Sequence, residues 1–420
     1  MIKREKYIKE IRPFYESDLI KIITGVRRSE NSIILEQIKE EISSSTKNII
    51  YLDFDDRATT SFISNWEDII KYVNENRSDG ICYVFLDEVQ EIENWFLACR
   101  SLRRENCSVF ITGSNSKLLS GEFTKELSGR YVSFRIRPFI YKEIDEYARQ
   151  LGKTIGVSEY LKWGGFPKCV EFSDENAIRR YLNDLDETIV VNNIIKRYKI
   201  RKTDEFRKFV NFLLICNARE YSANSIAETL KINGLSCSTN TIQKWVLYLE
   251  DAYIVDEIPT FSTKAKKQLD YAGKLYNCDV ALNSIRKINN RYDLSHNFEN
   301  IIYNELLYMG YSLEVYDNKG KKIDFLATKD NKKYYVQAAY SVVEEKAYNR
   351  EFSAYNGLSQ LDRKIIITND DIDFSTSKVQ HIKFKDFLLM NSLNHLYKAL
   401  NSFKSLSSLS LVFSISLPSE

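Results

Sequence analysis

Two carboxylates and one loop carry the chemistry this sequence can offer. Tyr83-Val-Phe-Leu-Asp87-Glu88 is a short, mostly apolar run that ends in adjacent acids. At a strand tip the first acid can hold Mg²⁺, often through water, and the second can orient and deprotonate an attacking water. Upstream, Leu19–Ser32 reads as a buried strand, a tight loop and the start of a helix. Such loops hold phosphate when they carry G-x-x-x-x-G-K-[ST], whose backbone N–H groups and lysine face the phosphate oxygens. Here Gly25, Val26, Arg27, Arg28 and Ser29 lead into Glu30, Asn31 and Ser32. The first glycine and the final serine are in place. Glutamate stands at the second glycine and asparagine at the lysine.

Those two replacements have a physical cost. The second glycine lets backbone approach the phosphates, and glutamate adds a side chain and a negative charge there. Asparagine offers amide donors where lysine offers a charge. Losing one charged hydrogen-bonded contact costs about 1.5–3 kcal/mol, roughly ten- to a hundred-fold in affinity.

The elements needed to position these groups follow in order. Strand-like runs at Leu19–Thr24, Asn48–Asp53, Ile81–Leu86, Ser108–Thr112 and Tyr131–Ile136 alternate with amphipathic helices at Ser32–Glu41, Trp66–Asn76 and Asn94–Arg104. Apolar strands alternating with helices predict a parallel α/β sheet covered on both faces. Ligands of such sheets bind beyond the carboxyl ends of the strands. The Gly25 loop, Asp87-Glu88 and Ser114-Asn115 all fall at those ends, so they are expected to share one cleft.

Length and composition set the frame. With 420 residues, two or three domains are expected. Hydrophobic content of 44% with 28% charged residues describes a folded chain, and a net charge of +2 neither demands nor excludes nucleic acid. Seven scattered cysteines without a C-x-x-C pair, far from His296, His381 and His395, argue for reduced thiols and against zinc. The charged N-terminus lacks the apolar core of a signal peptide, and no run reaches the roughly 18 apolar residues of a membrane span. A cytoplasmic protein without a membrane partner is expected.

Beyond residue 139 the rhythm changes. Helical patterns cover Tyr141–Gln150, Val157–Trp163 and Glu175–Ile195, broken at Gly164-Gly165-Phe166-Pro167. Residues 205–285 give three helices, two of them serine-capped, then strand-like pieces at Ile254–Ile258 and Lys274–Cys278 joined by a basic segment. That is a winged helix-turn-helix pattern. If it binds DNA, Thr241, Gln243 and Lys244 would face the groove and Lys264, Lys266 and Lys267 would touch phosphate. The alternative is a winged helix that only packs against its neighbours. Residues 286–390 read as a small α/β unit. Residues 391–420 form a serine-rich tail with no functional account.

Several short pieces, taken in order, carry a family resemblance. They are Ile23-Thr-Gly-Val-Arg-Arg28, Phe85-Leu-Asp-Glu-Val-Gln90, Ile111-Thr-Gly-Ser-Asn-Ser-Lys-Leu-Leu119 and Leu127-Ser-Gly-Arg130. Further along stand Gly164-Gly-Phe-Pro167, Lys274-Leu-Tyr-Asn-Cys-Asp279, and Lys322-Ile-Asp-Phe325 with Tyr335-Val-Gln337. Over residues 1–390 the chain resembles prokaryotic AAA+ ATPases that join a phosphate-loop module to a winged helix and a C-terminal restriction-endonuclease-like domain. The resemblance implies an ATPase-like domain at 1–138, a helical lid at 139–204, a winged helix at 205–285 and the nuclease-like domain at 286–390.

It also implies residue roles. Gly25–Ser32 would hold ATP, Ser32 and Asp87 would hold Mg²⁺, and Glu88 would activate water. Ser114 and Asn115 would read the γ-phosphate. Arg130 would be an arginine finger acting across a homo-oligomer boundary, the alternative being a surface arginine after a turn. Glu30 and Asn31 depart from the family, so hydrolysis is expected to be weak or lost. The other reading is a non-enzymatic nucleic-acid-binding or assembly protein on an ATPase scaffold. Nuclease sites need an acid on one strand and acid-x-Lys on the next. Asp324 fits the first position, but Gln337-Ala338-Ala339 supplies neither acid nor lysine, and Glu299 and Glu305 cannot replace both. Nuclease activity is not expected.

Overall fold

The computed structural model describes residues 2–113, 126–235, 237–261, 273–287, 291–318 and 320–394. Five strands, β1 (Ile20–Gly25), β2 (Ile49–Asp53), β3 (Cys82–Asp87), β4 (Cys107–Gly113) and β5 (Tyr131–Ile136), form one sheet in the order β2-β3-β4-β1-β5. Every pairing in it is parallel. The three inner strands are buried at every position, whereas the edge strands β2 and β5 keep half-exposed residues. Burial on both faces is what a continuous apolar run such as CYVFLD provides for.

The strand period of two divides the side chains between two cores. Ile20, Ile22, Val84 and Leu86 face one helical layer, while Ile23, Phe85 and Phe110 face the other. On the second face the helix Asn31–Ser43 buries Ile34, Leu35, Ile38 and Ile42, and Phe85 stacks on Phe110 with ring centroids 4.8 Å apart. The N-terminal helix Glu5–Ile11 packs Tyr7, Ile8 and Ile11 into that same core.

Downstream helices run over Tyr141–Gln150, Val157–Trp163 and Glu175–Thr188. The expected helix to Ile195 changes character: Ile189–Lys196 is wound as a π-helix. The break at Gly164 has a specific cause. Its φ of 64° and ψ of −149° suit glycine alone, and a Cβ there would meet Asp279 Oδ1 at 1.8 Å. Asp279 accepts from Gly165 N–H at 2.7 Å and from Ala281 N–H at 2.8 Å. The Gly164–Pro167 and Lys274–Asp279 segments, 114 residues apart at that contact, are therefore one feature.

Next come helices Thr203–Ile215, Ala223–Ile232 and Thr239–Asp251, with a small antiparallel sheet ordered β6-β9-β7. Its strands are β6 (Arg219–Glu220), β7 (Val255–Ile258) and β9 (Lys274–Asn277). Between the last two, β8 (Thr260–Phe261) leaves to pair with the following sheet. That sheet runs β14-β13-β12-β11-β10-β8. It comprises β10 (Ser312–Asn318), β11 (Lys321–Lys329), β12 (Lys332–Ala339), β13 (Arg363–Thr368) and β14 (Gln380–Lys383), with β8 at its edge. Helix Leu294–Tyr308 buries Phe298, Ile301, Ile302 and Leu306 in the same core as strand residues Phe325, Val336 and Ile365. Among the described residues no helix is long and apolar enough to cross a membrane.

Candidate functional site

Parallel strands carry their carboxyl ends to one edge of the sheet, and there β1 ends at Gly25 and β3 at Asp87. The helix Asn31–Ser43 begins over the same edge, closing a cleft of about 360 Å³. Ser32 Oγ donates to Asp87 Oδ1 at 3.0 Å. Tyr51 OH donates to Asp87 Oδ2 at 2.9 Å, and Thr112 Oγ1 donates to Oδ1. Glu88 stands beside them in a left-handed turn with φ of 50°. Its N–H donates to Thr112 Oγ1 at 3.0 Å and its carboxylate accepts from Gln90 Nε2. Burial pushes the Glu88 carboxyl above its usual range, against the pull of Gln90. The oxygen set of Ser32, Asp87 and Glu88 suits a hard divalent cation.

The loop keeps its shape despite its sequence. A Cβ on Gly25 would lie 2.3 Å from the Ile136 carbonyl and 2.6 Å from Ser29 Oγ, so only glycine fits. Glu30 adopts φ of 70° and ψ of 40°, the left-handed region in which glycine is at ease, and Arg28 has φ of 69°. A side chain in that region costs about 1–2 kcal/mol. Burial raises the Glu30 carboxyl, with the Arg28 charge opposing. Asn31 is buried and folds onto the loop, its Oδ1 3.1 Å from Ser29 Oγ. Around the cleft, six carboxylates (Glu30, Glu36, Asp53, Asp55, Asp87 and Glu88) face two cations, Arg27 and Arg28. The backbone and the oxygens of Ser32 and Asp87 fit a nucleotide phosphate site; the charge balance at positions 30 and 31 does not.

Contacts from distant parts of the chain hold this edge. Arg4, fully buried, donates to the Ser29 carbonyl at 3.2 Å and to the Arg137 carbonyl at 2.9 Å, and pairs with Glu143 in a bidentate fork at 3.0 and 2.7 Å. Tyr253 OH donates to Thr24 Oγ1 at 3.1 Å, one residue before the loop glycine. Arg135 and Arg137 both pair with Asp256 of β7. Burial alone would raise the Asp256 carboxyl, but the two guanidiniums hold it well below the usual carboxylate range.

Of the sequence-derived candidates, Arg27, Arg28, Glu30, Asn31, Ser32, Asp87 and Glu88 line this cleft, while Gly25, Val26 and Ser29 of the same loop are buried. Ser114 and Asn115 lie outside the described residues, as do Lys264, Lys266 and Lys267. Arg130 sits at the amino end of β5, where its carbonyl accepts from Ile20 N–H at 3.0 Å and its Nη1 donates to the Glu126 carbonyl at 3.0 Å. That is the opposite edge of the sheet from Gly25, roughly 20 Å away at about 3.3 Å per residue, so Arg130 does not meet the cleft of its own chain. Gln243 and Lys244 are exposed on helix Thr239–Asp251 and Thr241 is half-buried; none of the three lines the cleft. Tyr51, Thr112 and Arg4 were not singled out by sequence. Tyr51 sits two residues before Asp53 at the end of β2, a positional hint; Arg4 gives no comparable signal.

Comparison with known proteins agrees with this geometry. The AAA domain family matches residues 17–145, and a domain family of unknown function, DUF8612, matches residues 155–291. An uncharacterised protein of Haemophilus influenzae is 33% identical over 362 residues, spanning 82% of this chain and 88% of its own length. An uncharacterised protein of Methanocaldococcus jannaschii is 30% identical over 376 residues, spanning 84% of this chain and 82% of its own. Among solved structures, the Walker-type ATPase of Pyrococcus abyssi aligns with 69% of this chain and 96% of its own, at 14% identity and a TM-score of 0.48. The α/β parallel-sheet domain, matched by the AAA family over residues 17–145, is of the AAA+ phosphate-loop type.

Proposed function

The chain belongs to a prokaryotic AAA+ family shared with these bacterial and archaeal relatives, and from that premise we propose that it binds ATP with Mg²⁺ but hydrolyses it weakly or not at all. The observation that carries this reading is the loop itself. Ser32 and Asp87 stay hydrogen-bonded at 3.0 Å with Glu88 beside them, while Glu30 occupies the glycine position and Asn31 the lysine position. Loop amides between Gly25 and Ser32 would face the phosphates. Ser32 and Asp87 would hold the metal, whose charge would offset part of the phosphate charge. Glu88 would orient water. Asn31 cannot supply the positive charge that spreads over the β- and γ-phosphates, and Glu30 adds repulsion beside them.

Calorimetric titration of Mg·ATP, with phosphate release measured beside it, tests the proposal on the unmodified chain and on Glu30→Gly/Asn31→Lys. The double variant is expected to bind at least about ten-fold more tightly and to hydrolyse faster. Equal turnover by the unmodified chain would refute impaired hydrolysis.

A second reading draws on the middle helices. Gln243 and Lys244 are exposed on a helix that Ser238 caps through a 3.2 Å hydrogen bond to Thr241 N–H. As a winged helix, residues 205–285 would present those two side chains to DNA. The position of Arg130 suits a finger only if a neighbouring copy receives it, so this role requires a homo-oligomer. Residues 286–390 are proposed as a nuclease-like domain kept for binding or assembly.

A further inference from the structure

The C-terminal sheet bears a carboxylate cluster that the nucleotide reading does not use. Glu299 from helix Leu294–Tyr308, Asp324 from β11 and Glu351 from helix Glu345–Ser353 line a cleft of about 420 Å³. Arg350 serves Glu351, and the cation between Glu299 and Asp324 comes from elsewhere in the fold. Lys274, on β9 of the middle sheet, is buried; its Nζ donates to Asp324 Oδ1 at 3.1 Å and pairs with Glu299.

Further protein donors reach these acids. Tyr276 OH donates to Glu299 at 2.6 Å and Ala338 N–H to Asp324 Oδ2 at 3.0 Å. Gln337 Nε2 and Arg350 Nε donate to Glu351 at 2.6 and 2.7 Å. Among the described residues no group of three or more His, Cys, Asp or Glu is placed to hold a metal ion. Two adjacent acids whose side chains are only 12% and 16% exposed repel each other unless a cation or a proton joins them. Burial and the Asp324 charge push the Glu299 carboxyl up to about 7, while Lys274 pulls it down.

We propose that Lys274 is the resident cation of this cleft: its ammonium stands between Glu299 and Asp324 where a divalent ion would otherwise be drawn, and so fastens β9 to the C-terminal sheet. The lysine missing at Ala339 is thus met in space by one 65 positions earlier in the chain, serving as a structural counter-ion. An intramolecular cation is present at fixed effective concentration and needs no metal supply. Since β9 leads directly into Asp279, which accepts from Gly165 N–H, the same strand ties the helical segment to the C-terminal unit.

The test uses the full chain and MnCl₂ as the probe, with Mn²⁺ uptake followed by electron paramagnetic resonance near neutral pH. The unmodified chain is expected to show no Mn²⁺ uptake that depends on Asp324. Lys274→Met is expected to gain one bound Mn²⁺, and Lys274→Met/Asp324→Asn to lose it again, which separates this cleft from the Asp87 site. Uptake by the unmodified chain that Asp324→Asn abolishes would overturn the proposal, as would a folded Lys274→Met that takes up none. If Lys274→Met fails to fold, the readout is whether millimolar Mn²⁺ restores folding; restoration supports the proposal and its absence overturns it.

Discussion

Removing the Arg4 guanidinium should loosen the phosphate loop and the helical segment together. Its four hydrogen bonds reach the Ser29 and Arg137 carbonyls and both Glu143 oxygens, with the Arg4 side chain 0% and the Glu143 side chain 8% exposed. Arg4→Met leaves Glu143 charged and buried. One-sided loss of a buried ion pair costs about 3–5 kcal/mol, far more than an exposed pair. Glu143 keeps two weaker donors, Ile140 N–H and Tyr308 OH, each at 3.2 Å, which places the expected loss at the low end, about 3 kcal/mol. Adding Glu143→Gln removes the orphaned charge while leaving an oxygen for Ile140 N–H, and should recover about half of that loss.

Two measurements check this. Urea titration reports the first unfolding transition of each variant, and amide hydrogen exchange over residues 26–34 reports loop opening, which should speed up in Arg4→Met. A loss under about 1 kcal/mol, or a double variant less stable than Arg4→Met alone, would refute the claim that this pair holds the loop.

Two other outcomes follow from the same reasoning. For DNA, binding to a duplex should weaken steeply with salt, and Lys244→Ala should cost about 1–3 kcal/mol on the preferred sequence and narrow its margin over other sequences; no measurable binding, or a sequence preference unchanged in the variant, rejects the groove-facing role. For pH, Glu305 Oε1 accepts from Tyr141 N–H at 2.9 Å while Oε2 is buried without a partner, and burial lifts the carboxyl to about 8. The unfolded carboxyl titrates near 4.3, so the proton's stabilisation of the native state is complete below that value and is lost as pH rises through about 8. Glu305→Gln should therefore gain on the unmodified chain in thermal midpoint as pH rises from about 5 to about 9, and parallel pH profiles would contradict the burial argument.

The features legible in the sequence are those whose causes are local. Runs such as Leu19–Thr24 and Ile81–Leu86 read as buried strands, one position before the observed Ile20–Gly25 and Cys82–Asp87, because burial on both faces requires every residue to be apolar or internally paired. Once the strands are parallel, Gly25 and Asp87 must reach the same edge, so the cleft follows from periodicity and direction alone. The partners that hold the cleft obey no such rule. Arg4 reaches Glu143 across 139 positions, and Lys274 reaches Asp324 across 50. A charged residue in a polar-looking segment gives no local sign that it will be buried against one particular acid. The π-wound stretch at Ile189–Lys196 escaped for a related reason, since its residues also suit an α-helix and only tertiary packing selects between the two. Glu30 lies between these cases. Its identity announces a departure from the phosphate-loop pattern, while its left-handed backbone keeps the turn that a glycine would have made. The loop's shape thus depends on its surroundings, with Arg4 on Ser29 and Ile136 against Gly25, more than on the glycine it lacks. For that reason the Glu30→Gly/Asn31→Lys substitutions should act on charge and approach at the phosphates without having to rebuild the turn.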